Sequence, residues 1–135
     1  VRLGKIYGNE LVDAGLGKEF DLIIPIPLHP SRKRRRGYNQ SAKFAEGLSS
    51  TMQIPWDESI AERIMRTTTQ TRKTKIERWE NVKDVFLIRH PEKIVNKRIL
   101  LIDDVITTGA TLEACGHHLI NSGCSELSIA CLAEA

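Results

Sequence analysis

The residues from Arg98 to Thr111 constrain the fold more than any other part of this sequence. An apolar run, Ile-Leu-Leu-Ile at positions 99–102, leads directly into two adjacent carboxylates, Asp103 and Asp104. The run does not alternate with polar residues, which is typical of a parallel strand buried on both faces. We therefore predict a strand that ends at the two aspartates. In open α/β sheets, ligands bind at that end of the strands.

A hydroxyl-rich turn follows the predicted strand and leads into a helical pattern. Its residues are Thr107, Thr108, Gly109, Ala110 and Thr111. Backbone N–H groups and hydroxyls beside a helix N-terminus suit a phosphate group. The alternative is a simple helix cap beside two solvated acids, but a cap needs only one hydroxyl, and adjacent carboxylates repel unless a ligand or cation is present. The motif thus predicts a site for the hydroxyls and the phosphate of a sugar phosphate.

Length and composition fit one globular domain. The 135 residues are 41% hydrophobic and 27% charged, and a formal net charge of +3 does not by itself indicate a nucleic-acid-binding protein. No apolar run approaches the roughly 18 residues of a membrane span, and the first residues lack the apolar core of a signal peptide. We therefore expect a cytoplasmic protein with no membrane partner. Its three cysteines form no C-x-x-C pair and are interpreted as buried free thiols.

The remaining pattern alternates strands and helices around the central motif. Strands are predicted at 20–27, 85–88 and 127–133, with a weaker edge strand within 60–66. One helix is predicted from Gly37 to about Ser49, and another from the turn to Gly123, which stands where a left-handed terminal residue is expected. Shorter helical segments are predicted at 5–17 and 76–82. The order predicts a single α/β domain, 1–135, with a central, mostly parallel sheet flanked by helices and an N-terminal helical segment at 1–19.

Two segments are rich in cations. Arg32 to Arg36 are five consecutive basic residues. For Arg32 to Arg35, binding of an anionic leaving group and a solvated or nucleic-acid-contacting surface fit about equally well. Residues 67–75 contain no apolar side chain but several hydroxyls and cations, which predicts a flexible loop.

The central motif resembles the phosphoribosyl-pyrophosphate (PRPP) binding motif of type I phosphoribosyltransferases, in which a strand, two acids and two further residues precede a T-T-G-x-T loop. Residues 25–29, the R-x-R-G-Y-N-Q sequence at 34–40, Gln70, and Arg78-x-x-Asn81 with Phe86 resemble the ComF family of competence-associated phosphoribosyltransferase-like proteins. The similarity runs from about residue 21 to residue 133. The resemblance implies the type I phosphoribosyltransferase fold with a small or reduced hood.

The sequence departs from the ComF pattern in two ways. That family usually carries an N-terminal zinc-binding segment with paired cysteines, which these residues do not contain. Either the sequence is the transferase domain alone, or this member lost the segment. Lys73 also stands in the predicted loop where the family pattern leads us to expect an apolar residue.

The resemblance implies a role for each part of the site. Asp103 and Asp104 are expected to hold the ribose hydroxyls of PRPP, directly or through Mg²⁺, and so to be catalytic residues and metal ligands, while residues 107–111 cradle the 5-phosphate. Lys73 and Lys75 are expected to be catalytic residues in a loop that closes over the reacting centre, although an exposed loop without that role fits equally well. The pyrophosphate end is expected to comprise Leu28, His29, Arg36, Gly37, Tyr38, Asn39 and Gln40.

Three functions fit these residues. The first is an Mg²⁺-dependent transferase in which a nitrogen nucleophile displaces pyrophosphate from PRPP. The second is a PRPP-binding regulator without turnover. The third is an accessory protein of DNA uptake that contacts single-stranded DNA through Arg32 to Arg36, although an aromatic content of 5% offers little for base stacking. The sequence does not identify the acceptor, and it leaves a homodimer open.

Overall fold

The computed structural model describes residues 18–28, 39–64, 86–106 and 109–134. The predicted helices at 5–17 and 76–82, the basic run at 32–36 and the predicted loop at 67–75 lie outside these ranges. The strands and α-helices, in chain order, are β1 (Leu22–Pro25), α1 (Gln40–Met52), β2 (Ala61–Arg63), β3 (Phe86–Ile88), β4 (Arg98–Ile106), α2 (Ala110–Asn121) and β5 (Glu126–Glu134).

The central sheet has the strand order β1-β4-β5, and both of its strand pairs are parallel. β1 pairs with β4 from Leu22–Ile99 to Pro25–Ile102, and β5 pairs with β4 as far as Ile106–Glu134. The short strands β2 and β3 form a separate antiparallel pair. The predicted parallel sheet flanked by helices is confirmed.

The central strand β4 is buried on both faces, as its unbroken apolar run predicts. Ile99 and Leu101 pack on one side with α2 and with Phe86 of β3. Leu100 and Ile102 pack on the other side with the apolar face of α1. Successive side chains of a strand point to opposite faces, so one four-residue run supplies the middle of both cores.

Two predicted boundaries are wrong in detail. β4 does not end at the aspartates but continues to Ile106, because β5 goes on offering it a pairing partner after β1 has stopped. The first long helix begins at Gln40 and ends at Met52, three residues beyond the predicted end at Ser49. Its end is set by Gln53, which adopts the left-handed conformation at φ 57°.

Candidate functional site

The site lies where β1 turns away from β4. The last hydrogen bond on this side of β4 comes from the amide of Ile26, the residue after β1, which donates to the Ile102 carbonyl at 2.8 Å. Asp103 is the next residue along β4. Pro27 has no N–H group with which to extend the pairing. The two aspartates therefore stand beside a gap in the sheet, with β5 still supporting β4 from the other side.

The start of α1 closes one side of this gap. Asn39 caps the helix, because its side-chain oxygen accepts from the Ser41 amide at 3.0 Å. Its amide nitrogen donates to the Ile26 carbonyl at 3.0 Å, so one buried side chain ties the helix start to the end of β1. The Ser41 hydroxyl then donates to Oδ1 of Asp103 at 3.3 Å. These contacts fix the position of the Asp103 carboxylate.

The start of α2 forms the opposite side. Gly109 is the N-cap residue at φ 79°, a left-handed conformation in which a larger side chain would be strained. Having no side chain, it offers no hydrogen bond to the first-turn amides, which leaves that role to a neighbouring group or an anion. The Thr111 hydroxyl lies 3.5 Å from Nη2 of Arg63, which comes from β2.

Arg63 is the principal feature that the sequence analysis missed. Its guanidinium carbon lies 5.1 Å from the centroid of the Phe86 ring, a cation–π distance. Phe86 is directly opposite Arg63 in the antiparallel pair, so both side chains lie on one face. The pairing of β2 with β3 would have revealed this contact, but neither three-residue strand carries a sequence signal for its partner.

The buried thiol of Cys115 lies beneath the site. The pKa of Cys115 is raised to about 12, mainly because the thiol is buried. The positive charge of Arg63 lowers this pKa, and the negative charge of Asp103 raises it. Both charges are therefore close to one thiol on α2, although they come from different strands. At neutral pH this thiol is protonated, so Cys115 is not a nucleophile. The prediction of a buried thiol outside any disulfide is confirmed here, whereas Cys124 and Cys131, also outside any disulfide, are only half-buried.

A cavity of about 400 Å³ adjoins the gap. It lies between the end of β1, the cap of α1 and strand β2. Its wall combines apolar side chains with acidic, hydroxyl, amide and guanidinium groups, contributed by Pro27, Leu28, Asn39, Glu58, Ser59, Ala61, Glu62 and Arg63.

The structure places about half of the predicted site residues. Asp103, Gly109, Ala110 and Thr111 lie at the gap, and Leu28, Asn39 and Gln40 lie at the end of β1 and the start of α1. For Asp104 only the backbone is described. The remaining predicted residues lie outside the described ranges: His29, Arg36, Gly37, Tyr38, Lys73, Lys75, Thr107 and Thr108.

The oxygen atoms at the gap fit a magnesium ion. Mg²⁺ prefers hard oxygen ligands, and it commonly takes one or two carboxylates, several waters and the phosphates of its substrate. The Asp103 carboxylate with the Ser41 hydroxyl beside it is such a donor set. Within the described ranges no group of three or more His, Cys, Asp or Glu side chains could hold a metal, so this site would depend on waters and substrate for its other ligands.

Comparison with known proteins decides the family. Residues 22–135 match the phosphoribosyl transferase domain model, which covers most of the chain. The chain belongs to the phosphoribosyltransferase family. The candidate site thus lies in a phosphoribosyltransferase domain.

The similar curated proteins are named as competence proteins or DNA utilization proteins. The chain is 37% identical over 116 residues to Competence protein F of Haemophilus influenzae, covering 85% of this chain and 51% of that protein. It is 31% identical to the DNA utilization protein YhgH of Escherichia coli K12, covering 83% and 48%. It is also 31% identical to Competence protein ComFC of Bacillus subtilis, covering 76% and 39%. The predicted resemblance to ComF is confirmed, and the chain spans about half the length of the first two.

Solved structures confirm the type I phosphoribosyltransferase fold. The glutamine PRPP amidotransferase of B. subtilis matches with a TM-score of 0.66 and 18% identity, over 96% of this chain and 26% of that one. A purine phosphoribosyltransferase of Pyrococcus horikoshii matches with a TM-score of 0.63 and 22% identity, over 99% and 75%. At these identities the likeness concerns the fold alone.

No helix within the described ranges is both long enough and apolar enough to span a membrane.

Proposed function

We propose that this domain binds PRPP with Mg²⁺ and transfers the phosphoribosyl group to a nitrogen nucleophile, releasing pyrophosphate. One observation carries the proposal. The Asp103 carboxylate is fixed by Ser41 at the gap where β1 leaves β4, and the start of α2 faces the same gap. A carboxylate for hydroxyls therefore lies beside a helix N-terminus for phosphate, which is the combination that a ribose 5-phosphate requires.

Each group acts by position and charge. Asp103, together with Asp104, accepts hydrogen bonds from the ribose hydroxyls, and residues 107–111 hold the 5-phosphate. Arg36, Lys73 and Lys75 are proposed for the pyrophosphate end, where cations stabilise the negative charge that develops on departure. Bound Mg²⁺ supplies further neutralisation of that charge. Holding both reactants in line is the main contribution of the protein, since the leaving group is already a good one.

Binding of PRPP is the first test of the proposal. We expect titration calorimetry to show PRPP binding that requires Mg²⁺, and Asp103→Asn to weaken it by about tenfold or more, because a hydrogen bond to a charged group contributes roughly 1.5–3 kcal/mol. Glu46→Gln removes the same charge from an exposed position on α1 and serves as the control. No binding by the unaltered chain, or equal binding by both variants, would contradict the proposal.

Turnover needs a separate measurement. Pyrophosphate release is followed with PRPP and a panel of nucleobases, ammonia and glutamine. Release that depends on one acceptor supports the transferase. Tight PRPP binding without release by any member of the panel would favour the regulator instead.

The names of the relatives favour a second function, a role in DNA use. Competence protein F and YhgH are named for uptake or utilisation of DNA. Under this proposal Arg32 to Arg36 contact the phosphates of single-stranded DNA. The affinity of the chain for single-stranded DNA would then fall steeply with salt, and replacement of all five cations by Ser would abolish DNA binding. An unaltered affinity in that variant would count against this second function.

A further inference from the structure

The start of α1 carries the buried polar side chains of the described ranges. Asn39 is 8% exposed and Ser41 is 3% exposed. Burial of a polar group costs free energy unless the group is hydrogen-bonded. Both side chains make their hydrogen bonds to residues that border the gap, namely Ile26 and Asp103. The start of α1 is therefore built to hold the gap rather than only to pack on the sheet.

Ser41 occupies a position on α1 that packing alone would give to an apolar residue. Ala45, Leu48 and Met52 follow it at helical spacing and are buried against the sheet. Ser41 extends this stripe by one turn and reaches Asp103, just past the last hydrogen bond between the β1 segment and β4. An alanine at this position would also suit the packing face, so the core does not require the hydroxyl.

The contact between Ser41 and Asp103 crosses the plane of the sheet. Side chains of β4 alternate between its faces, so Asp103 follows Leu101 onto the face that α2 covers. The negative charge of Asp103 raises the pKa of Cys115 on that helix. Its Oδ1 nevertheless accepts from the hydroxyl of Ser41, which belongs to the helix on the other face. The gap that β1 leaves makes this contact possible, and the contact holds the carboxylate toward α1.

Asn39 ties the start of α1 to the end of β1. Its Nδ2 donates to the Ile26 carbonyl and its Oδ1 accepts from the Ser41 amide, both at 3.0 Å. Leu28 and Gln40, two predicted residues of the pyrophosphate end, lie within two residues of these anchor points. The pyrophosphate end is therefore anchored at a fixed distance from the carboxylate that Ser41 holds.

We propose that Asn39 and Ser41 form a clamp that sets the spacing between the two ends of the PRPP site without touching the ligand. PRPP engages Asp103 and the pyrophosphate end at once, so its affinity depends on that spacing. Ribose 5-phosphate and pyrophosphate, the half ligands, each occupy one end and follow a small shift of that end. The inference rests on the proposed PRPP site. It gives Asn39 a positioning role in place of the pyrophosphate contact that the resemblance implies.

The test compares PRPP with the two half ligands. With Mg²⁺ present, titration calorimetry measures PRPP binding, and competition with PRPP measures the affinity for ribose 5-phosphate and for pyrophosphate. Asn39→Ser keeps an oxygen for the helix cap but lacks the amide that reaches Ile26. We expect this variant to weaken PRPP binding by about tenfold and to change the affinity for either half ligand by less than about threefold.

Ser41→Ala removes the other half of the clamp and should give the same pattern of affinities. Because Ala continues the apolar stripe of α1, the urea midpoint of unfolding should not fall. A variant that is as stable as the unaltered chain but binds PRPP more weakly separates positioning from folding. The double variant N39S/S41A should lose no more PRPP affinity than the weaker-binding single variant, since both substitutions open one clamp.

Ser49→Ala is the matched control on the same helix. The Ser49 hydroxyl donates to the Ile54 carbonyl near the other end of α1, away from the gap. We therefore expect all three affinities to stay the same in this variant. A loss of PRPP binding as large as that of Ser41→Ala would show that removal of any hydroxyl from α1 disturbs the site, which would overturn the clamp.

The outcomes separate the inference from the proposed function. If the unaltered chain does not bind PRPP, the proposed function fails and the inference falls with it. If PRPP binds and Asn39→Ser weakens pyrophosphate binding as strongly as PRPP binding, Asn39 is a ligand, and the clamp is wrong while the PRPP site stands. Equal losses of PRPP and ribose 5-phosphate in Ser41→Ala, unchanged PRPP affinity in both single variants, or fully additive losses in the double variant also overturn the clamp.

Discussion

The two sides of the candidate site are built in different ways. The side that carries Asp103 stands on β4, a strand paired on both edges and buried on both faces. The side that carries Arg63 stands on β2, a three-residue strand with a single three-residue partner. An isolated two-stranded ribbon has little stability of its own. The first side therefore belongs to the core of the fold, whereas the second is an attachment to it.

The attachment is made by a few side chains on one face of the ribbon. Ala61 and Phe86 are buried in the part of the core that packs against α2, whereas Leu87, the next residue of β3, is 39% exposed. The ribbon can thus vary on its outer face without disturbing the sheet.

Matched leucine substitutions should show the largest difference between the two sides. Leu101→Ala empties a fully buried position in β4, and we expect it to lower the free energy of unfolding by about 2–5 kcal/mol. Leu87→Ala removes the same atoms from the exposed face of β3 and should change it by no more than about 0.5 kcal/mol. Urea unfolding followed by circular dichroism measures both values.

Ligand binding then supplies the control for this pair. Leu87→Ala should bind PRPP with the affinity of the unaltered chain, since its side chain faces away from the core. A loss of several kcal/mol in Leu87→Ala would show that the ribbon is part of the cooperative core, and the distinction drawn between the two sides would then be wrong.

The same division explains what the sequence could predict. The strand at 99–102 and the helix that follows Gly109 carry strong local signals, and both are found, with Gly123 at φ 102° just after the helix ends at Asn121. The prediction that the strand ends at the two aspartates was wrong, because the end of β4 depends on how far β5 extends, which is not a local property of the sequence. Periodicity indicates that a strand is buried but not which strand lies beside it.

The cavity could not be predicted, because it depends on contacts between distant residues. β2 was expected only as a weak edge strand, and nothing in the residues around Arg63 shows that Phe86 lies opposite. Ser41 was likewise missed, because it is 62 positions away along the chain from Asp103, which its hydroxyl contacts. Asn39 was predicted as a pyrophosphate ligand, a role that stays a prediction, while the structure shows it as a helix cap.

Arg63 offers a sharper test, because it joins the two sides. Its guanidinium comes from the ribbon but lies near Thr111 at the proposed phosphate position. We expect Arg63→Met to weaken binding of both PRPP and ribose 5-phosphate by about tenfold, and Arg63→Lys to restore part of the loss, since it keeps the charge but not the planar fork. Titration calorimetry with the two ligands measures the effect.

Pyrophosphate and Arg89 provide the controls for this substitution. Binding of pyrophosphate alone should not change in Arg63→Met, because Arg63 lies near Thr111, at the proposed 5-phosphate end. Arg89→Met removes a ribbon arginine that is paired with Glu62 and should leave PRPP affinity unaltered. Equal losses for pyrophosphate and ribose 5-phosphate would mean that the substitution disturbs the ribbon as a whole.

The smallest expected effect concerns an ion pair at the opposite end of the sheet from the site. Hydrogen bonds from the Arg98 side chain and then from its backbone amide lower the pKa of Asp21 from 3.8 to about 2. The pair ties the start of β1 to the start of β4.

Acid unfolding tests this pair without touching the site. Because the folded pKa of Asp21 is the lower one, its contribution is fully present above pH 4 or so and disappears as the pH falls toward about 2. Asp21→Asn should therefore flatten the dependence of stability on pH in that window, as measured by urea unfolding at each pH. Arg98→Met removes the side-chain bonds but keeps the bond from the backbone amide, so it should flatten the dependence only in part. Identical pH profiles for the two variants would show that the guanidinium alone lowers the pKa of Asp21, and that the backbone contact between the two strand starts contributes nothing.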